Sequence, residues 1–337
     1  MKRHNNLFPQ VIEFSNLIIA ANKALKGKKT RMRVAHFYFH WEKELLTLQN
    51  EVLEGTYKPN HYFLFEIFDP KKRTICASDF KDRVLHHAIC KVLEPFLERK
   101  AIFDSYACRS GKGLHAAIKR CQEFVGHNEY YLKCDISRFF ESIDHQILKK
   151  ILYGILKDKQ LLKLLDVIID HEVPGNLPGK GLPIGNLTSQ YFANLYLGKM
   201  DHFLKDHLGH KSYLRYMDDF ILFAPDKQIL KNRLHQIHEF LDSHLQLNLK
   251  TNAIHLAPVS EGVPYLGLRV FKNLIRIQRP NLVRLRRRIR DAESDYLLGK
   301  LTLAELCQST SSRMTHMSFA NTLALRQKEF SGSLLLA

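Results

Sequence analysis

Two adjacent aspartates, Asp218 and Asp219, stand between two short apolar runs, residues 213–216 and 220–224. Runs of that length, rich in aromatic and branched side chains, read as strands, which places Met217-Asp218-Asp219 at the tip of a hairpin. Like charges that close repel unless a cation neutralises them. A third aspartate, Asp135, ends another apolar run at 130–134, and three oxygen-rich ligands converging from strand ends suit hard Mg²⁺. Two such ions about 3.5–4 Å apart activate an attacking hydroxyl and stabilise the leaving oxygen during in-line displacement at phosphorus. The chemistry implied is nucleotidyl transfer. Taken singly, each residue has a plainer reading, Asp218 and Asp219 as turn residues and Asp135 as a helix cap.

Charge points the same way. Fifty-one Lys and Arg against 34 Asp and Glu leave +17, a surplus that draws a chain towards a polyanion such as nucleic acid. With 337 residues and 45% hydrophobic composition, the chain can bury sizeable cores in two or three domains. Its six cysteines form no CxxC pair and no cluster with His at zinc-ligand spacing, so they read as reduced, mostly buried small hydrophobes. The opening Met1-Lys2-Arg3-His4 has the charge of a leader, but Glu13 interrupts the apolar stretch behind it and no small-residue cleavage site follows. No apolar run is long enough to span a bilayer. A cytoplasmic protein without a membrane partner, bacterial or phage-encoded, is expected.

Along the chain, residues 1–55 have helical periodicity and end at Gly55. Residues 61–68 and 72–76 read as a hairpin turning at Asp69-Pro70 and carrying Lys71, Lys72 and Arg73. Helices are expected at 79–97, ended near Pro95, and from Gly113 to about residue 124. Further helices are expected at 144–157, 159–170, 188–208 and 227–245. Residues 173–185 hold four Gly and three Pro, the composition of a loop. Strands are expected at 253–258 and 263–271. The segment from Lys272 to Arg290 carries eight cations and no acid.

The order and context of the carboxylates resemble the right-hand polymerase palm of reverse transcriptases. Arg215-Tyr-Met-Asp-Asp-Phe220 is the YxDD box, and Tyr131-Leu-Lys-Cys-Asp135-Ile-Ser-Arg-Phe-Phe140 resembles the carboxylate motif that precedes it. Ser105-Tyr-Ala-Cys-Arg109-Ser-Gly-Lys-Gly113-Leu-His115 resembles the block that reads SYGFRPGR followed by His in relatives. Arg73 with Lys81-Asp82-Arg83-Val84 resembles the fingers block. The matching blocks run in family order from about residue 56 to 290. The resemblance implies an α+β fold in which an antiparallel palm sheet packs on helices. An N-terminal helical extension (1–55) would precede fingers (56–134, with part of 150–183), palm (135–270) and a basic helical thumb (271–337).

Gly181-Leu-Pro-Ile184-Gly185-Asn186-Leu-Thr188-Ser189-Gln190 narrows the subfamily, because most relatives have QGxxxSP there. The version in this chain is similar to the reverse transcriptases of diversity-generating retroelements, which copy an RNA template with errors at adenines and diversify a target gene. Gly185 lets backbone approach the nascent base pair, and Ile184 would replace an amide with an apolar surface, weakening geometric discrimination. The plainer reading of Ile184 is core lining above a helix start.

Other roles follow from the resemblance, residue by residue. Asp135, Asp218 and Asp219, with the Ile136 backbone, would carry two Mg²⁺ ions, Mn²⁺ being the alternative. Arg73 would hold the incoming deoxynucleoside triphosphate, a guanidinium suiting bidentate phosphate contact. Phe140 would be the steric gate that excludes a ribose 2′-hydroxyl, unless it is a core aromatic paired with Phe139. Gln190 would complete the nucleotide pocket. Val263-Pro-Tyr265-Leu-Gly267-Leu resembles the primer-grip strand. The arginines behind it (Arg284, Arg286, Arg287, Arg288 and Arg290) would contact the template RNA and cDNA. Relatives often carry a Lys after the YxDD hairpin as proton donor to pyrophosphate. Ala253 stands at that place and Lys250 is offset from it, so the general acid is unassigned.

The resemblance also implies a small basic accessory protein as partner. The function expected is RNA-directed DNA polymerisation with adenine-biased errors. The alternatives are a group II intron- or retron-type reverse transcriptase, or a catalytically silent RNA-binding subunit of the same fold.

Overall fold

The structure is a computed structural model that describes residues 3–27, 32–68 and 72–330. Four helices come first: α1 (Phe8–Ile12), α2 (Phe14–Leu25), α3 (Met32–Phe39) and α4 (Trp41–Glu54). Gly55 ends α4 in the left-handed conformation at φ +71° that glycine adopts without strain. A two-stranded hairpin, β1 (Phe63–Ile67) and β2 (Arg73–Ala77), follows in antiparallel register with Phe65 opposite Ile75. Its proposed turn, Asp69-Pro70, and Lys71 lie outside the described residues.

Helix α5 (Phe80–Glu98) packs against α2 on one side and against a later helix on the other. Pro95 sits inside it and does not end it, contrary to the expectation from sequence. The ring removes one backbone hydrogen bond. Leu93 and Leu97 remain buried and hold the last turn to the core. Helix α6 (Leu114–His127) leads into β3 (Tyr130–Cys134), and a short helix, α7 (Phe139–Ser142), which sequence reading missed, follows the strand. Next come α8 (His145–Ile155), α9 (Lys159–Ile169) and α10 (Leu187–His202), the later helix that α5 packs against. Asp144 and Asp158 cap α8 and α9, each accepting a backbone N–H three residues on.

Strands β4 (Tyr213–Tyr216) and β5 (Asp219–Ala224) form the expected hairpin, α11 (Lys227–Phe240) follows, and β6 (His255–Pro258) completes a four-stranded antiparallel sheet in the order β4-β5-β3-β6. The apolar runs are explained by burial on both faces. On β5, Phe220, Leu222 and Ala224 join the core made by α2, α5, α8 and α10, whereas Ile221 and Phe223 face α6 and a second sheet.

That second sheet replaces the single strand expected at 263–271. β7 (Val263–Tyr265) and β8 (Leu268–Val270) pair back on each other through Leu266 and Gly267, both at positive φ, and β9 (Ile275–Ile277) adds a third strand. Only then does α12 (Arg279–Leu297) begin, so the acid-free stretch is strand and helix rather than helix throughout. Helices α13 (Leu303–Ser318) and α14 (Leu323–Phe330) close the described chain. The far end of α13 returns to the body: Asn321 exchanges two hydrogen bonds with Ile275, and Phe319 stacks on His115 of α6 at 4.1 Å. Among the described residues, no helix is long and apolar enough to cross a membrane.

Candidate active site

The Asp-Asp hairpin is tight. Tyr216 pairs with Asp219, leaving Met217 and Asp218 as a two-residue loop, and Met217 takes φ +57°, unusual for a side-chain-bearing residue. Arg215 pins it: one guanidinium nitrogen donates to the Met217 carbonyl at 2.8 Å and to Asn194 Oδ1 at 3.0 Å. The rest of the fork is bidentate to Asp201, at 2.8 and 2.6 Å, and Tyr213 donates its hydroxyl to the same carboxylate at 2.6 Å. Arg215 is 1% exposed and Asp201 is fully buried. The turn is thus clamped from beneath by an ion pair on α10.

Asp135 is close enough to Asp218 for its charge to act on it. Burial, then the charge of Asp135, pushes the Asp218 carboxyl up to about 6, while Arg73 on β2 faces it and pulls the other way. Asp219 is also pushed up to about 6, by burial first and by both neighbouring carboxylates, against the lowering effect of Lys133. Lys133 Nζ donates to Asp219 Oδ2 at 2.9 Å, and Asp219 Oδ1 is buried with no hydrogen-bond partner among the described residues. The three acids therefore lie close enough together to act on one another's charge. Among the described residues, no three His, Cys, Asp or Glu side chains are grouped so as to hold a metal ion as they stand, and Lys133 engages one oxygen of Asp219. The donor set is nonetheless all carboxylate, crowded and with one oxygen unsatisfied, the condition a hard divalent cation relieves.

Backbone fixes Asp135 in place. Ile136 bridges to Leu249, and the Asp135 carbonyl accepts from Lys250 N–H at 2.9 Å. Lys250 is thus next to the trio through its backbone, and Ala253 lies in a short 3-10 turn beyond it. The two phenylalanines separate: Phe139 is buried in the core, while Phe140 is half-buried and packs edge-on to it at 5.6 Å.

The glycine-rich loop docks on the β1–β2 hairpin. Ile184 carbonyl accepts from Cys76 N–H at 2.9 Å, and a Cβ on Gly185, at φ +131°, would lie 3.1 Å from the Cys76 carbonyl. Ile184 is half-buried and Gly185 exposed, and the buried Asn186 accepts a hydrogen bond from Ser78. Gln190, half-buried on α10, accepts from Cys108 Sγ at 3.3 Å. Cys108, at φ +52°, stands where the similar block has Phe. Of these residues Arg73 acts on the charge of Asp218, while Ile184 and Gly185 pack against β2 and Gln190 against Cys108. The basic residues lie apart from it on α12, with Arg287, Arg288 and Arg290 exposed and Arg284 and Arg286 half-buried.

Sequence reading missed Lys133, Asp201 and the clamping role of Arg215. A signal existed for each: a charged residue placed inside an apolar strand or helix needs a partner nearby.

The comparisons with known proteins agree with this geometry. The family model described as reverse transcriptase (RNA-dependent DNA polymerase) matches residues 58–270. Protein YkfC of Escherichia coli is 24% identical over 279 residues, covering 68% of this chain and 71% of the relative. Group II intron-encoded protein LtrA of Lactococcus lactis is 24% identical over 170 residues, 48% of this chain but only 28% of LtrA. The apo telomerase of Candida tropicalis has a similar fold, with a TM-score of 0.51 at 12% identity over 86% of this chain and 64% of that one. A clamped Asp-Asp hairpin beside a third strand-end aspartate, inside a family match that covers most of the chain, places this protein in the reverse transcriptase family of RNA-directed DNA polymerases, which are nucleotidyltransferases.

Proposed function

We propose that this chain copies a template RNA into cDNA with errors concentrated at adenines, as the polymerase of a diversity-generating retroelement. The observation that carries the polymerase reading is the mutual influence of Asp135, Asp218 and Asp219 on one another's charge, with Arg73 acting on Asp218. The subfamily reading rests on Ile184 and Gly185, held against β2 where a nascent base pair would lie.

In this reading the four-stranded sheet is the palm, the β1–β2 hairpin belongs to the fingers and α12 to α14 form the thumb. The trio, with the Ile136 backbone, would hold Mg²⁺ or Mn²⁺, which when bound neutralises charge developing at phosphorus and on the leaving pyrophosphate. The chain's own groups do the rest. Arg73 binds the triphosphate, Phe140 closes the space a 2′-hydroxyl would need, and Gln190 with Ile184 and Gly185 lines the base-pair pocket. The apolar Ile184 offers shape without a hydrogen bond, so a distorted pair is rejected less strongly. The primer 3′-oxygen then bonds to the α-phosphorus as its bond to pyrophosphate breaks, and the 3′ proton leaves to solvent. Template RNA, cDNA, deoxynucleoside triphosphates and a small basic accessory protein are the partners this function requires.

The test is extension of a DNA primer on an RNA template with Mg²⁺, followed by sequencing of the product. Misincorporation concentrated opposite adenines is expected. Accurate copying at adenines would move the protein to the group II intron type, which its similarity to LtrA favours. RNA binding without extension would make it a silent subunit.

The thumb makes a separate prediction. About five phosphate contacts from α12 should give a slope of roughly −4 in log affinity against log salt. Replacing Arg287 and Arg290 by Gln should reduce the slope by about 2, measured by fluorescence anisotropy on an RNA–DNA duplex. An unchanged slope would remove α12 from the interface.

A further inference from the structure

Lys133 occupies the middle of β3, between Ile221 on one neighbouring strand and His255 on the other. A lysine inside a sheet is costly without acceptors. It has two. Nζ donates to Asp219 Oδ2 at 2.9 Å and to the Pro264 carbonyl on β7 at 3.0 Å, with the Tyr265 ring 5.9 Å away. The side chains of Lys133 and Asp219 are only 21% and 23% exposed, so the pair is largely sheltered from screening by salt. One ammonium thus ties the Asp-Asp hairpin to the β7–β8 hairpin. The tie continues outward, because Asn281 at the start of α12 donates to the carbonyl of Gly267 in the β7–β8 turn.

We propose that Lys133 is a positioning residue that orients Asp219 and sets the charge of the acidic trio, an inference that rests on the metal-binding reading of that trio. By engaging Oδ2 it leaves Oδ1, the unpartnered oxygen, as the one Asp219 offers to a cation. It makes the site one unit less negative. Through Pro264 it also holds the trio at a fixed distance from β7, the strand read as supporting the primer end.

The decisive experiment measures Mn²⁺ binding to the full chain by electron paramagnetic resonance, without nucleic acid or nucleotide. Wild type is compared with Lys133→Met, Lys133→Gln and Lys133→Arg. Removing a positive charge a few ångströms from the trio should tighten Mn²⁺ binding about tenfold in Lys133→Met and in Lys133→Gln, while Lys133→Arg stays within about twofold of wild type. Glutamine can still hydrogen-bond Asp219, so tightening there assigns the effect to charge and keeps the test open should Lys133→Met fail to fold. In primer extension, Lys133→Met should lower kcat about tenfold with KM for the nucleotide unchanged, and Lys133→Arg should recover it. Equal Mn²⁺ affinity in wild type and in both neutral variants would overturn the proposal. Absence of extension by wild type would instead reject the polymerase reading, while the Mn²⁺ titration would still decide the role of Lys133.

Discussion

Asp218→Asn should abolish RNA-templated extension, by about 10³-fold or more, and at the same time make the folded protein slightly more stable. The first effect follows from the proposed role of Asp218, since it removes one of the three carboxylates assigned to the reacting phosphate. The second follows from the crowding that pushes Asp218 up to about 6. A carboxyl raised in the folded state costs stability wherever it is ionised, so above about pH 6 the neutral amide relieves that cost. Discounted for partial exposure, the gain is of order 1 kcal/mol. It should fade as the pH falls from about 6 towards 4, where wild-type Asp218 becomes neutral in both states. Thermal melts at pH 7.5 and pH 4.5 beside the extension assay would check both halves. Wild-type extension by this variant would remove Asp218 from the site.

Arg215→Met should have the largest effect on stability. It leaves Asp201 charged and fully buried with only the Tyr213 hydroxyl for support, a situation that costs about 3–5 kcal/mol. Urea unfolding should show that loss. The double change Arg215→Met with Asp201→Asn removes the orphaned charge and should recover much of the stability, yet extension should stay low, because nothing then holds the Met217 carbonyl. Recovery of both together would mean that the pair matters only for folding. Loss of neither would show that the turn needs no clamp.

Much of this was legible before any coordinates, for identifiable reasons. Strands buried on both faces announce themselves as unbroken apolar runs, so β3, β4 and β5 could be placed to within a residue, and with them the three aspartates. The glycine-rich loop was legible as a loop, but its docking on β2 was not, because a hydrogen bond between the Cys76 N–H and the Ile184 carbonyl leaves no trace in side-chain pattern. Residues 263–271 read as one strand because Leu266 continues the apolar run. Only Gly267 signalled the turn that splits it. Pro95 misled because burial of Leu93 and Leu97 outweighs one missing hydrogen bond. Lys133 and Arg215 were visible as charges inside strands, but their partners, Asp219 with Pro264 and Asp201 with Asn194, come from distant elements that only the fold brings together.

The two fastenings of the basic arm limit how it can travel. One joins Asn281 to Gly267 where α12 departs, and the other joins Asn321 to Ile275 where the chain re-enters after α13. An arm fastened at both feet is restrained at two points of the sheet rather than one. In the proposed function, a duplex lying along α12 would then meet a row of arginines held in place from both ends, so that releasing it would mean breaking two anchorages instead of fraying a single free tip.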